Sequence, residues 1–355
     1  MIFADSELME NQPAVFARLL GKDIVAMKPL QGGRNSRVFC LVCPDRCFYA
    51  GKVYMADPDD CRDRLRTEFR ALSFLWECGE RSIPKPIAMC RQSSSAVYEF
   101  VRGTTPTLAV NEAAIDSAVA FLGRLKDYGK RGGGSSFIGD ASEACFSGAD
   151  IATNVTFRLQ RMWTLTDCGE ATDMVQAFLQ DDFSPFWDEV QQWHREKLNE
   201  SGKDFDESLS SAQRTLSPSD FGFHNCLFTE DRQRKIVFLD FEYFGWDDPA
   251  KMIADFLLHP GMSLPVHLKR QFFARITTSF SDCPQLADRV ESVYPLHGLK
   301  WCLILLNECL STGMKRRRFA AGSWKQPGCP EQLCKARQLL HKIKGDFRKF
   351  PYGEN

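Results

Sequence analysis

Near residue 100 the hydrophobic pattern of this 355-residue chain changes period. Before that point, residues 38–42 and 47–54 form β-rich runs separated by Pro44-Asp45-Arg46, a turn signal, and residues 96–101 read as a further strand. One helix interrupts them. Asp57-Pro58-Asp59-Asp60 offers a cap, a proline for the first turn and acids for the positive end, and Leu65, Leu72 and Leu75 then share one face before Gly79. Beyond residue 100 the spacing is helical. Ile115, Val119, Leu122 and Leu125 are in register, Ile151, Val155, Leu159 and Met162 mark a second helix, and Ser184-Pro185 opens a third that runs to about Leu198. Two short strands, 225–229 and 236–240, flank a polar turn and predict a hairpin; Asp248-Pro249 opens another helix. Strands followed by helices predict an α+β chain. We expect a mostly β lobe over 1–100 and a mostly helical lobe over 101–355, joined near 99–103.

Charge and composition narrow the function classes. Lys and Arg number 45 against 46 Asp and Glu, which lacks the basic surplus of a general nucleic-acid binder. The apolar stretch 301–306 is far too short to span a bilayer, and Asp5, Glu7 and Glu10 stand where a signal peptide needs a basic end. The expectation is a cytoplasmic protein with a small-molecule substrate, no nucleic-acid or membrane partner, and an oligomeric state that the sequence leaves open. Fourteen cysteines fit that compartment as reduced thiols. Cys40, Cys43 and Cys47 lack a fourth ligand at short spacing apart from Cys61, so they read as core residues rather than a zinc knuckle.

The chemistry concentrates in Ser217-Pro218-Ser219-Asp220-Phe221-Gly222-Phe223-His224-Asn225. Asp220 and Asn225 have the Asp-x-x-x-x-Asn spacing of a kinase catalytic loop, and the hairpin brings Asp240 back towards them. Phosphoryl transfer uses such a set: one carboxylate takes the proton of the attacking hydroxyl, while an amide and a second carboxylate hold Mg²⁺. Asp220 is therefore the candidate catalytic residue, with Asn225 and Asp240 the candidate metal ligands. Taken singly, each is also an ordinary hairpin-end residue.

An upstream pair supports the joint reading. Lys52 lies in an apolar strand, where a lysine can simply face solvent, but Glu68 falls on the same helical stripe as Leu65, Leu72 and Leu75. A carboxylate on an apolar stripe requires a partner, because burying it unpaired costs several kcal/mol. Lys52 is the nearest in sequence. Just before that strand, Leu30-Gln31-Gly32-Gly33-Arg34-Asn35-Ser36 could cover phosphates with backbone N–H groups, Gly33 and Ser36 being the candidates, or form a plain hairpin turn.

Together these segments resemble the aminoglycoside phosphotransferase and choline kinase-like family over roughly residues 20–310. The resemblance implies a bilobal protein-kinase-like fold and a kinase that transfers the γ-phosphate of ATP, with GTP as the alternative, to a substrate hydroxyl with Mg²⁺. The family's catalytic Asp and Asn fall on Asp220 and Asn225, and its metal-binding Asp on Asp240. Its linker resembles Tyr98-Glu99-Phe100-Val101-Arg102-Gly103, which implies that the backbone at Glu99 and Val101 holds the nucleobase. Asp247-Asp248-Pro249 and Asp255 match a segment read as structural. Pro218-Ser219 departs from the family's His-Gly before the Asp, so the loop must be braced differently; His224 is a possible replacement. The acceptor is not readable: sugars, amino alcohols and related metabolites fit, as does an aminoglycoside-modifying resistance kinase or a catalytically silent nucleotide-binding module. Asp181-Asp182, Glu143, the Gly/Ser loop 130–140 and Lys315-Arg316-Arg317-Arg318 are the segments that could meet a substrate.

Overall fold

The computed structural model describes residues 12–353 apart from 31–34, 57–59, 107–109, 132–136, 166–169, 232–234, 311–312, 314, 316–318 and 321–327. Along the chain run α1 (Gln12–Leu20), β1 (Ala26–Leu30), β2 (Ser36–Val42), β3 (Phe48–Tyr54), α2 (Arg64–Glu77), β4 (Pro86–Cys90) and β5 (Ser95–Glu99). Then come α3 (Glu112–Lys130), α4 (Gly148–Trp163), α5 (Glu170–Ala177), a π-helical segment (Phe178–Phe183) and α6 (Ser184–Glu200). Short strands β6 (Thr215–Ser217), β7 (Cys226–Phe228), β8 (Ile236–Phe238) and β9 (Gly245–Asp247) precede α7 (Pro249–Leu258), α8 (Val266–Ser279), α9 (Leu286–Leu306) and α10 (Cys329–Asp346). The α+β class expected from the sequence is what the chain adopts.

The chain divides into two compact units. The first takes Met1–Thr107, Asn225–Phe244 and Lys315–Trp324; the second takes Leu108–His224, Gly245–Met314 and Lys325–Asn355. In the first unit a five-stranded antiparallel sheet has the order β1-β2-β3-β5-β4. Phe16 of α1 packs into a core with Phe39, Leu41, Val53 and Val97. Gly51 makes this possible, since a Cβ there would lie 2.8 Å from the Phe16 ring. The helix α2 buries Leu65, Leu72 and Leu75 as the periodicity requires. Its cap is Asp63, whose side chain accepts from the Arg66 N–H, and not Asp57. Asp60 is taken instead by Arg62 and Arg64, and residues 57–59 lie outside the described ones. The β7–β8 hairpin joins this unit through main-chain bonds: Thr104 and Phe228 exchange N–H···O bonds at 2.9 Å, and Phe238 N–H donates to the Ser82 carbonyl. Gly103 allows the approach, because a Cβ there would sit 2.7 Å from the Phe228 carbonyl.

The second unit is helical, with the small β6–β9 pair. Ser147 and Asp150 form a capping box on α4. Asp248 caps α7 by accepting from the Ala250 N–H, with Pro249 in the first turn, and every residue of α7 is buried. Trp187 is core, as its helical spacing indicates. Further features differ from expectation. The run expected over 96–101 ends at Glu99, and Cys309 is disulfide-bonded to Cys329 instead of being a free thiol. Cys40 and Cys43 are buried free thiols, while Cys47 and Cys61 are exposed; among the described residues no cysteine belongs to a metal-sized cluster. No described helix is long and apolar enough to cross a membrane.

Candidate active site

The first unit assembles an acid-rich cluster around one lysine. Lys52, in the middle of β3, donates from Nζ to Glu68 Oε2 at 2.6 Å and to Asp240 Oδ1 at 2.8 Å. The sheet register places Lys52 opposite Val38 and Ala96, and the α2 stripe brings Glu68 to it. Tyr54 donates its hydroxyl to the same Glu68 oxygen at 2.7 Å and shares a hydrogen bond with Tyr98. Glu68 is thus held from two sides. Burial lowers the affinity of the Lys52 ammonium for its proton, but Asp240 and Glu68 outweigh this and hold its pKa well above the ordinary value.

Glu242 adds a third carboxylate, close enough to Glu68 and Asp240 for the three to share a cation. Asn35 Nδ2 donates to Glu242 at 2.6 Å and Arg64 Nε lies 3.6 Å from it. Burial first, and then repulsion from Asp240, push the Glu242 carboxyl up to about 7. The side chain of Asp240 is one quarter exposed, whereas Glu68 and Glu242 are sealed. Asp240 also has φ +66°, a left-handed backbone that a non-glycine residue rarely adopts. Such strain collects at functional positions. Asn225 precedes β7, and its carbonyl accepts from the Leu239 N–H, so the hairpin fixes Asn225 beside the strand that leads to Asp240. The excess of hard oxygen donors over cations suits a divalent ion such as Mg²⁺.

The other candidate binding residues are placed as follows. Ser36 is the first residue of β2, buried and opposite Tyr54, while Gly33 lies outside the described residues. Glu99 ends β5, with its N–H on the Lys85 carbonyl, and Val101 follows it outside any helix or strand.

The second unit holds Asp220. Phe221 stacks on Phe121 and Phe256, and Phe223 meets Phe256 edge-on, so alternate apolar rings anchor the loop. Gly222 is required between them, because a Cβ there would fall 2.4 Å from Met262 Sδ and 2.8 Å from His224 Nδ1. Ser219 occupies the left-handed region at φ +68°, and the Asp220 N–H donates to the Pro218 carbonyl, which closes a γ-turn. His224 and His259 each place Nε2 3.1 Å from Asp220 Oδ1. Burial would raise the Asp220 pKa; hydrogen bonds from the two imidazoles overcome it and hold the carboxyl well below its usual range. His259 was not found by sequence reasoning. Its only signal was that it is one of six histidines and follows the helix opened by Asp248-Pro249.

Behind this loop lies a sealed ion network. Lys251 pairs with Asp247 at 2.6 Å and Asp255 at 3.1 Å, and Lys300 pairs with Asp255 at 2.7 Å. This places Asp247 and Asp255 in the structural role read from the sequence. Glu143 is bound by Arg158 and Asn154, which lowers its pKa to about 2 against the effect of burial. Asp181 and Asp182 lie in the π-helical segment, and residues 316–318 of the basic run and 132–136 of the Gly/Ser loop fall outside the described residues.

Residues 26–275 match the model of the phosphotransferase enzyme family. No curated protein matches the chain. Among solved structures, it is similar to a spectinomycin phosphotransferase in complex with ADP and spectinomycin, with TM-score 0.60 and 12% identity over 93% of this chain and 98% of that one. It is also similar to an ethanolamine kinase from Plasmodium vivax, with TM-score 0.58 and 12% identity over 92% and 85% of the two chains. A choline kinase from Cryptosporidium parvum Iowa II gives TM-score 0.55 and 12% identity over 92% and 93%. At these identities the likeness is one of fold.

Proposed function

The chain belongs to the phosphotransferase enzyme family, and from that premise we propose a kinase that transfers the γ-phosphate of ATP to a hydroxyl of a small molecule. The observation that carries this reading is the Lys52 ammonium, fixed on Glu68 and shared with the part-exposed Asp240. Glu68 and its Tyr54 partner orient the lysine, which pairs with the nucleotide phosphates. Asn225 and Asp240 would hold Mg²⁺, which neutralises phosphate charge when bound. The backbone at Glu99 and Val101 meets the nucleobase. Asp220 accepts the hydrogen bond of the acceptor hydroxyl, orients it for attack and takes its proton as the phosphoryl group transfers. Its depressed pKa makes orientation the larger part of that role. The similar structures are a spectinomycin phosphotransferase, an ethanolamine kinase and a choline kinase, and a hydroxyl-bearing small molecule is likewise proposed as the acceptor for this chain.

The test is ATP turnover with a panel of sugars, amino alcohols and aminoglycosides. Asp220→Ala should lower kcat about 10²- to 10⁴-fold with nucleotide Kd unchanged. A variant that keeps most of its kcat removes Asp220 from the chemistry.

A further inference from the structure

Asp220 is clamped by two imidazoles that the reaction described above leaves without a task. The rings of His224 and His259 are parallel, with centroids 3.6 Å apart and planes at 6°, and both Nε2 atoms face the same oxygen, Asp220 Oδ1. His259 is the more firmly set of the two. It is 5% exposed and sits at the C-terminal end of α7. Its Nδ1 accepts the Gly261 N–H at 3.0 Å. The Trp301 ring meets it edge to face at 4.6 Å, and Trp301 Nε1–H is itself tied to Asp255 Oδ1 at 2.8 Å. The sealed ion network therefore fixes Trp301, Trp301 and His224 fix the two flanks of His259, and His259 reaches Asp220.

The hydrogen bonds decide which nitrogen carries the proton. Because Nδ1 of His259 accepts, its ring proton is on Nε2 and points at Asp220 Oδ1. His224 also turns Nε2 to the carboxylate, and its buried Nδ1 has no hydrogen-bond partner among the described residues. The three side chains are close enough to be considered for a metal ion. His259, however, has a proton on Nε2 where a ligand needs a lone pair. The cluster is built as a pair of hydrogen-bond donors.

We infer that His259 is a positioning residue for Asp220, fixing the carboxylate from the end of α7 in a chain whose catalytic loop has Pro218-Ser219 ahead of the aspartate. The inference rests on Asp220 being the residue that meets the acceptor hydroxyl. A loop strained at Ser219 has the more need of an external brace, since the γ-turn alone leaves the side-chain rotamer of Asp220 undetermined.

The first test is imidazole ¹⁵N NMR of the full chain, with Asp220→Asn for comparison. His259 should show the Nε2–H tautomer, with an Nε2 proton resonance that shifts when Asp220 becomes Asn. The Nδ1–H tautomer, or a resonance indifferent to Asp220→Asn, overturns the inference. The second test uses whichever panel acceptor supports ATP turnover. His259→Gln keeps an N–H donor at the reach of Nε2, whereas His259→Asn is too short to supply one. His259→Asn should lower kcat about 10- to 100-fold with the KM for ATP unchanged, and His259→Gln should recover most of the loss. If Asp220→Asn is inactive while His259→Asn equals the natural protein, the positioning role is wrong. If Asp220→Asn itself keeps its kcat, the proposed function fails first.

Discussion

Two ion clusters of similar size sit in the two units, and they are built on opposite principles. In the second unit Asp247, Lys251, Asp255 and Lys300 balance two negative charges against two positive ones, and all four are sealed, their side chains no more than 6% exposed. In the first unit Glu68, Asp240 and Glu242 gather round a single lysine, with Arg64 at the edge and Asp240 one quarter open. A closed, neutral network has completed its pairing inside the protein. An acid-rich one with an open edge has affinity to spare for a cation from solution. Charge balance and exposure therefore distinguish a cluster whose pairing is complete from one with carboxylates in excess and an open edge, even though both are strings of short lysine–carboxylate bonds.

The comparison is broken most severely at Lys251. Lys251→Met leaves Asp247 buried without its cation and should cost about 3–5 kcal/mol of stability, read from the denaturant midpoint. Burial already lifts the Asp247 carboxyl to about 6 despite Lys251. A loss below about 1 kcal/mol would show that the network is not structural.

Acid offers a second, somewhat smaller probe of the sealed unit. Burial lowers the pKa of His194 from 6.5 to about 4, against the opposing bond to Ser292. The unfolded chain therefore takes up the proton before the folded one. The contribution of the uncharged ring is complete above about 6.5 and is lost as pH falls from there towards 4. Between pH 7 and pH 4 the natural protein should lose about 3 kcal/mol more than His194→Gln. Parallel pH–stability curves would contradict this.

The smallest effect is expected at Ser219, a left-handed position of the second unit as Asp240 is of the first. Ser219→Gly removes the steric cost of φ +68° and should raise stability by about 1 kcal/mol or less, with kcat preserved. A melting temperature that falls would mean that the Ser219 side chain, and not only its backbone, supports the loop.

Much of this was legible in the sequence because it follows from local necessity. Glu68 on an apolar stripe required a cation, and Lys52 on the neighbouring strand is 2.6 Å from it. The Asp220–Asn225 spacing and the returning hairpin marked the loop and Asp240 without any knowledge of packing. What could not be read depends on meetings between distant segments. His259 reaches Asp220 across 39 residues, and Asn35 reaches Glu242 across 207, with no periodicity that links either pair. Asp63 displaced Asp57 as the α2 cap where several acids competed for one helix end, and Asp60 went to arginines. The Cys309–Cys329 pair was hidden among fourteen cysteines, whose spacings do not reveal connectivity.

The central claim is that the first unit's cluster is incomplete without a metal–nucleotide, and Asp240→Asn tests it most directly. The measurement is a calorimetric titration of ATP, with and without Mg²⁺, into the natural protein and the variant, beside a thermal melt of each. Removing one of three crowded carboxylates should leave the melting temperature unchanged or higher, because the repulsion that pushes Glu242 up to about 7 is relieved. The natural protein should bind ATP more tightly with Mg²⁺ present, and the variant should lose that dependence. A variant that binds Mg·ATP like the natural protein, or that loses binding only in step with its folding, would contradict the account.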